Sequence, residues 1–433
     1  MKIFIYIISI VLSAIHLASA QVPAPGKAQK SPILISGGTV HVGNGEVLEN
    51  GAVAFSDGKI SYVGEASGFT ADKSGYEVIE ASGKHIYPGF IIPNTTLGLV
   101  EIGAVNATRD QNEIGDLNPN IRSIIAYNTD SELIPTMKFN GILLAQTTPV
   151  GGRIPGTSSI VGLDAWNWED AAIKMDDAVH LNWPSRYKYE FDYSNFSVKR
   201  VKNDKFDESL QELNDLFVDA QSYANQPNKK ENLKLDAMVG LLNGLKGLHI
   251  HVDDAKGIIE SIQFSKKHGV KNMVIVGGEE ALMVKDIIKE NNIPILLSDV
   301  HRLPNRPEED VDMPYKLPYL LYKEGIKIGL TYGSVTNARN LPFFAGTAAG
   351  YGLPKEEALK SISLNTAEIL GISEHYGSLE KGKSATLFIS RGDALDMRGN
   401  LVEKAFISGR AIELNAMQQE LYEKYKTKYE AGK

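Results

Sequence analysis

The 433-residue chain contains no cysteine. That excludes disulfides, thiolate metal ligands, a cysteine nucleophile and lipid attachment at a cysteine. An excess of positive charge is also missing. Forty-five Lys and Arg stand against 53 Asp and Glu, a net charge of −8. This balance, with no basic patch interleaved with aromatics, argues against nucleic acid or an anionic membrane as partner. Nucleotide signatures are lacking too. The Gly-rich stretch GGRIPGTSS at 151–159 is neither a GxGxxG fingerprint nor a phosphate loop with its lysine. After the first twenty residues no apolar run is long enough to span a bilayer.

Those twenty residues, MKIFIYIISIVLSAIHLASA, read as a secretory signal. Lys2 supplies the positive region, Ile3 to Leu17 the apolar stretch, and Ala18-Ser19-Ala20 the small residues of a cleavage site. A membrane anchor is the rival reading. The run is short for a span, is interrupted by Ser9, Ser13 and His16, and ends in the cleavage motif. Cleavage before Gln21 implies a periplasmic or secreted protein with no membrane span thereafter. An exported chain without disulfides must rest on its hydrophobic core, which a large domain can supply.

Residues 21–31, QVPAPGKAQKS, have the composition of a tether. From 32 to 87 short alternating runs and the Asp57-Gly58 turn predict antiparallel strands, and 377–412 repeat that texture. The two pieces are expected to complete one β domain. Between them, 88–376 alternate helix-like and strand-like segments, and the apolar runs MVIV and PILL suit parallel strands covered on both faces. The fold class is therefore α/β, a (β/α)₈ TIM-like barrel plus a small composite β domain. Such a barrel typically takes about 250 residues. A doubly wound sheet is the rival, without a nucleotide motif to support it. Tyr187 to Lys205 form an aromatic, charged insertion, read either as a cover packed on the barrel or as a substrate-contacting lid. After it, Leu210, Leu213, Phe217 and Ala220 mark the inner face of a helix. Residues 413–433 predict a surface helix docked through Met417, Leu421 and Tyr425.

The end of the expected barrel reads EEALKSISLNTAEILGISEHYGSLEKGKSATLFI, and its start is led by ASGKHIYPGF, after ISGGTVHVGNG. Together these resemble the opening and closing signatures of the amidohydrolase superfamily, in particular its imidazolonepropionase-like branch. In that closing pattern Asn365 is expected to cap a helix that Gly371 ends. Thr366 and Thr386 replace a Pro and an Asp of the pattern. The resemblance implies a hydrolase of carbon–nitrogen bonds. It further implies a divalent metal held by an HxH after the first strand, a bridging Lys or Glu, single histidines after the fifth and sixth strands, and an Asp after the eighth.

This sequence departs from that ligand set. In PGFIIPNTT, Asn94 and Thr96 stand where the HxH belongs, and Gly333 in IKIGLTYGS stands where the Asp that also serves as base belongs. The sixth strand, MVIVGG, brings no histidine. His251 of LHIHVDDAKG matches the histidine of the fifth strand. A catalytic zinc needs about three protein ligands and an open position for water. Neutral Asn and Thr oxygens are weak ligands for it, and Gly offers none.

A replacement centre is conceivable from His249, His251, Asp299 and His301, since i, i+2 on a strand share a face. The alternative is hydrogen-bonded core histidines beside a solvated loop. Asp253-Asp254 are expected to cap the next helix. Arg339 and Asn340, after the eighth strand, are candidates to grip a carboxylate or amide, or to brace their loop.

Two functional readings follow. In one, the chain lacks the hydrolytic site and acts as a binding protein for a small molecule or as partner of an active paralogue, or self-associates. It then carries no cofactor, or a substoichiometric metal such as zinc. In the other, it hydrolyses carbon–nitrogen bonds through a rebuilt metal site. No catalytic residue is assigned on either.

Overall fold

The computed structural model describes residues 24–304 and 308–430. The expected signal, 1–20, lies outside the described residues. Residues 24–31 do not stand free as a tether. The Gly26 N–H donates to Asp164 Oδ2 at 2.9 Å, and Gln29 Nε2 donates to the Phe55 carbonyl at 3.1 Å, so this stretch lies against both layers of the fold.

The N-terminal strands are β1 (Ile33–His41), β2 (Val47–Ser56), β3 (Lys59–Glu65), β4 (Glu77–Glu80) and β5 (His85–Pro88). Asp57 and Gly58, with φ of 50° and 75°, form the two-residue turn joining β2 to β3, a left-handed pair that suits the twist of a hairpin. The barrel strands are β6 (Phe90–Thr95), β7 (Ile142–Thr147), β8 (Gly156–Gly162) and β9 (Ala172–Asn182). A hairpin, β10 (Tyr187–Asp192) and β11 (Ser197–Lys202), intervenes before β12 (Gly247–Val252), β13 (Met273–Gly277), β14 (Ile295–Ser298) and β15 (Ile328–Thr331). The chain then returns to the first sheet as β16 (Leu387–Ser390), β17 (Val402–Ile407) and β18 (Arg410–Ile412).

One sheet runs β18-β17-β16-β5-β1-β2-β3, with β4 beside β1. Leu387 of β16 pairs with Pro88 of β5, so the two ends of the chain share a sheet. Its core includes Phe55 edge-on to Phe406 at 5.1 Å. The second sheet, β6 through β9 and then β12 through β15, has eight strands and nearly closes. The Thr331 hydroxyl of β15 donates to the Pro93 carbonyl of β6 at 2.6 Å across the closure. One strand departs from the expected parallel order, because β8 runs antiparallel to both β7 and β9. A short connection, 148–155, turns the chain straight back from β7 with no crossover helix, and only an antiparallel strand can follow so tight a return.

Local sequence accounts for the regular part. Leu248 and Ile250 of β12 are fully buried with Ile258 and Ile262 of the helix Ala255–Lys267. Asp254 starts that helix, its Oδ1 accepting from the Gly257 N–H at 2.8 Å. Leu213, Phe217 and Ala220 of the helix Phe206–Ala224 are buried as the pattern predicts, while Leu210 is only half-buried.

Two peripheral expectations fail. The insertion does not lay its rings on the barrel. Tyr189, Tyr193 and Phe196 are 73%, 80% and 81% exposed, and Phe191 packs on Tyr193 at 4.9 Å within the hairpin itself. A two-stranded ribbon has two faces and here no third layer to bury either. The helix Met417–Glu430 buries no residue, and Met417, Leu421 and Tyr425 are exposed. A stripe of three apolar residues among lysines and glutamates covers too little area to hold a helix against the body. Asn365 likewise lies inside the helix Leu364–Ile369 rather than capping it, and its Nδ2 donates to the Ile328 carbonyl at 3.1 Å. Gly371, with φ of 68°, does end that helix. Among the described residues no helix is long and apolar enough to cross a membrane.

Candidate functional site

At the C-terminal ends of the barrel strands, Asn94 takes a left-handed conformation (φ 49°) and donates its N–H to Gln146 Oε1 at 3.1 Å. The pairing of β6 with β7 shifts register between Ile92 and Thr95. Simple strand alternation is therefore lost at this point, and Asn94 and Thr96 no longer present the same-face pair that i, i+2 spacing predicts. Thr96 is buried at 8% exposure. Gly333 donates its N–H to Asp299 Oδ1 at 3.2 Å, and a Cβ there would stand 3.9 Å from the same carboxylate.

The expected replacement centre is not brought together as a group. His301 turns away toward the helix Leu341–Gly350, with Nε2 2.6 Å from Thr347 Oγ1 and its ring edge-on to Phe344 at 4.7 Å. Asp299, also left-handed at φ 53°, faces Gly333. His249 and His251 do share the inner face of β12, as their spacing predicts, but their company is His180 of β9. His180 pairs in register with His249, and its ring centroid lies 5.0 Å from that of His249. Its Nδ1 is 2.9 Å from His251 Nε2, so one of these nitrogens donates to the other. Burial pushes His249 down to about 3 and His251 to about 4, and drives His180 well below its ordinary range with the help of its neighbours. All three are neutral imidazoles.

Sequence reasoning missed His180. The only signal was a lone histidine in the apolar run AVHL, which becomes meaningful once β9 is known to neighbour β12. It also missed Asp177, which is buried among polar partners. Its carboxylate accepts from Ser158 Oγ and Gln146 Nε2, each at 2.7 Å. Burial raises its pKa. A chain of polar contacts thus runs from the Asn94 backbone through Gln146 to Asp177 and Ser158.

Asp253 does not cap its helix, which Asp254 does. Burial, and then Glu279, push its pKa up to about 6. Arg302 stands beside it, bridging Glu279 at 3.2 Å and Glu309 at 2.6 Å. Arg339 and Asn340 brace their loop through the backbone. The Arg339 carbonyl accepts from Asn140 Nδ2 at 2.6 Å, and the Asn340 carbonyl accepts from the Phe343 N–H at 2.9 Å.

These donors do not fit a divalent centre of three ligands. Gly333 has no side chain, His251 Nε2 is engaged by His180, and Asn94 and Thr96 are neutral. Among the described residues no group of three or more His, Asp or Glu stands where it could hold a metal ion. Two nitrogens in the imidazole group, His180 Nε2 and His249 Nδ1, are buried without a hydrogen-bond partner.

Comparison with known proteins gives the barrel its relatives. Residues 242–412 match the model of the Amidohydrolase family. An imidazolonepropionase of Flavobacterium psychrophilum is 25% identical over 241 residues, covering 53% of this chain and 55% of that protein. One from Flavobacterium johnsoniae is 31% identical over 110 residues, 22% of this chain and 27% of that protein. The matches thus span about half the length of the first relative and less of the second. Among solved structures, an amidohydrolase from Thermotoga maritima superposes with a TM-score of 0.76 at 22% identity, over 88% of this chain and 99% of that one. The barrel, the sheet shared by both chain ends and the matching closing segment agree, and together they support assignment of this chain to the amidohydrolase superfamily, with a likeness to imidazolonepropionases.

Proposed function

We propose that this is an exported amidohydrolase-family protein that does not hydrolyse through the metal centre usual in the family, and that serves as a small-molecule binding protein or as the partner of an active paralogue. The observation that carries this reading is the 2.9 Å contact between His251 Nε2 and His180 Nδ1. It engages one ring nitrogen of His251, the histidine that the resemblance would assign to metal, while Gly333 offers neither ligand nor base. Without a metal-lowered water pKa and a base to move its proton, hydroxide is not available at neutral pH. Export rests on the first twenty residues and partnership on the altered mouth. Protein purified with zinc present and without chelators is expected to carry well under one equivalent of zinc. It is also expected not to open imidazolonepropionate, the compound in the relatives' name. Stoichiometric zinc together with turnover overturns the proposal.

A second reading, a hydrolase of carbon–nitrogen bonds with a rebuilt site, is favoured by the unpartnered His180 Nε2 and His249 Nδ1. Two buried imidazole nitrogens without partners are what a metal would satisfy. Loss of bound zinc and of turnover in His180→Gln separates this reading from the first.

A further inference from the structure

A cavity of about 870 Å³ opens at the other end of the barrel, where β9, β12 and β13 begin. Its volume is that of a small-molecule site, which typically takes about 300–1,000 Å³. His249 and Asp177 lie on its inner wall with Val274, all three buried, while Lys271 and Asn272 stand exposed at its rim. His249 turns the Cδ2–Nε2 edge of its ring toward Gly247 on this wall, each atom 3.5 Å from where a Cβ at Gly247 would stand.

The charge around the cavity is lopsided in an acidic protein. Glu368 on its rim is held by Lys327 at 2.6 Å, and Lys289 by Glu324 at 3.3 Å. Lys174, Lys266 and Lys271 also line it, and among the described residues none of them lies within ion-pair distance of a carboxylate. Lys266 sits in the last turn of its helix, where the helix dipole accounts for a cation. Lys271 donates to the carbonyl of Asn243 at 3.3 Å, at the end of the helix Leu233–Leu242, and Lys174 to that of Leu370, at the end of the helix Leu364–Ile369. Each therefore also faces a helix C-terminus while keeping protons free. Lys174 is half-buried in β9, and its ammonium donates one hydrogen bond, to the Leu370 carbonyl at 2.9 Å. Two of its three protons are left for a ligand. Beside it Gly371 leaves space, since a Cβ there would come within 2.9 Å of the ammonium.

We propose that this cavity binds a small organic carboxylate, anchored by Lys174 and Lys271, with the His249 Nε2 hydrogen-bonding a polar group at the ligand's inner end. The cavity lies at the opposite end of the strands from Gly333 and His301. Its occupancy therefore does not depend on whether the mouth hydrolyses anything.

Titration calorimetry of the full mature chain with succinate, glutarate and citrate, and with inorganic phosphate and glycerol as comparisons, tests the proposal. At least one carboxylate is expected to bind saturably at one per chain. That affinity should fall at least tenfold in Lys174→Met, return in Lys174→Arg, and stay unchanged in Lys256→Met, at the far end of the helix. Gly247→Leu gives an independent test if Lys174→Met fails to fold. A Cβ at Gly247 meets its nearest neighbour at 3.5 Å, an ordinary contact, and the rest of the side chain would fill the cavity. No saturable binding by any carboxylate, wild-type affinity in Gly247→Leu, or phosphate or glycerol binding as tightly as every carboxylate each overturns the assignment.

Discussion

Replacing His249 with glutamine tests whether the imidazole group on the barrel axis is a buried, neutral unit. His249 is 2% exposed, and burial pushes its pKa down to about 3 from an ordinary 6.5. Above pH 6.5 the imidazole is neutral folded and unfolded, and its contribution to stability is fully present. As the pH falls below that value, the unfolded chain binds a proton that the folded chain refuses, so stability is lost until the folded pKa near 3 is reached. The loss is about 1.4 kcal/mol per pH unit, or about 2 kcal/mol at pH ~5 for this residue alone. His251, at about 4, and His180, well below its usual range, act in the same direction. Asp253, pushed up to about 6, and Asp177, also raised, act in the opposite one, because there the folded state keeps a proton that the unfolded state has lost. Net stability therefore mixes several groups, and the difference between wild type and His249→Gln isolates one. Urea unfolding of both proteins from about pH 7.5 to pH ~5 should show the wild-type slope exceeding the variant's by close to one proton below about pH 6. Equal slopes, with equal m values, would refute the neutral, buried assignment.

Three further outcomes follow from particular contacts. Arg302→Met removes the cation between Glu279 and Glu309 and beside Asp253, and should cost about 3 kcal/mol by urea unfolding at neutral pH; a change near zero would mean the cluster holds no energy. Gly333→Asp sets a second carboxylate against Asp299, within about 4 Å of the new Cβ. It should lower stability by about 1 kcal/mol at pH ~8 through like-charge repulsion; a melting temperature equal to that of wild type would contradict this. Replacing 188–201 by a two-residue turn should leave stability within about 1 kcal/mol of wild type, because the hairpin is exposed and the Asn203 N–H to Arg186 carbonyl bond of 2.8 Å already brings its ends together; a larger loss in thermal melting would show that the hairpin packs where its exposure says it does not.

The sequence by itself determined the elements whose cause is local. Asp57-Gly58 specified a hairpin turn, Asp254 a helix start, Gly371 a helix end, and the runs MVIV and PILL strands covered on both faces. Matching texture at the two ends of the chain was enough to expect one shared sheet, since a strand edge left unpaired by one piece is closed by the other. What depends on neighbours distant in the chain was not legible. The reversal of β8 is set by a short return, and no residue within the strand carries its direction. The exposure of the aromatic hairpin and of the helix Met417–Glu430 depends on whether a complementary surface exists, which amphipathic spacing cannot tell. The site divides in the same way. Spacing put His249 and His251 on one face, but only the pairing of β9 with β12 set His180 against them, 71 residues from His251 in sequence and 2.9 Å away in space. Only the left-handed turn at Asn94 and the pull of Thr347 on His301 decided that the expected donors would not converge. Residue type fixes which chemistry is available, while convergence of donors is a property of the closed barrel, where strands remote in sequence aim side chains at one point.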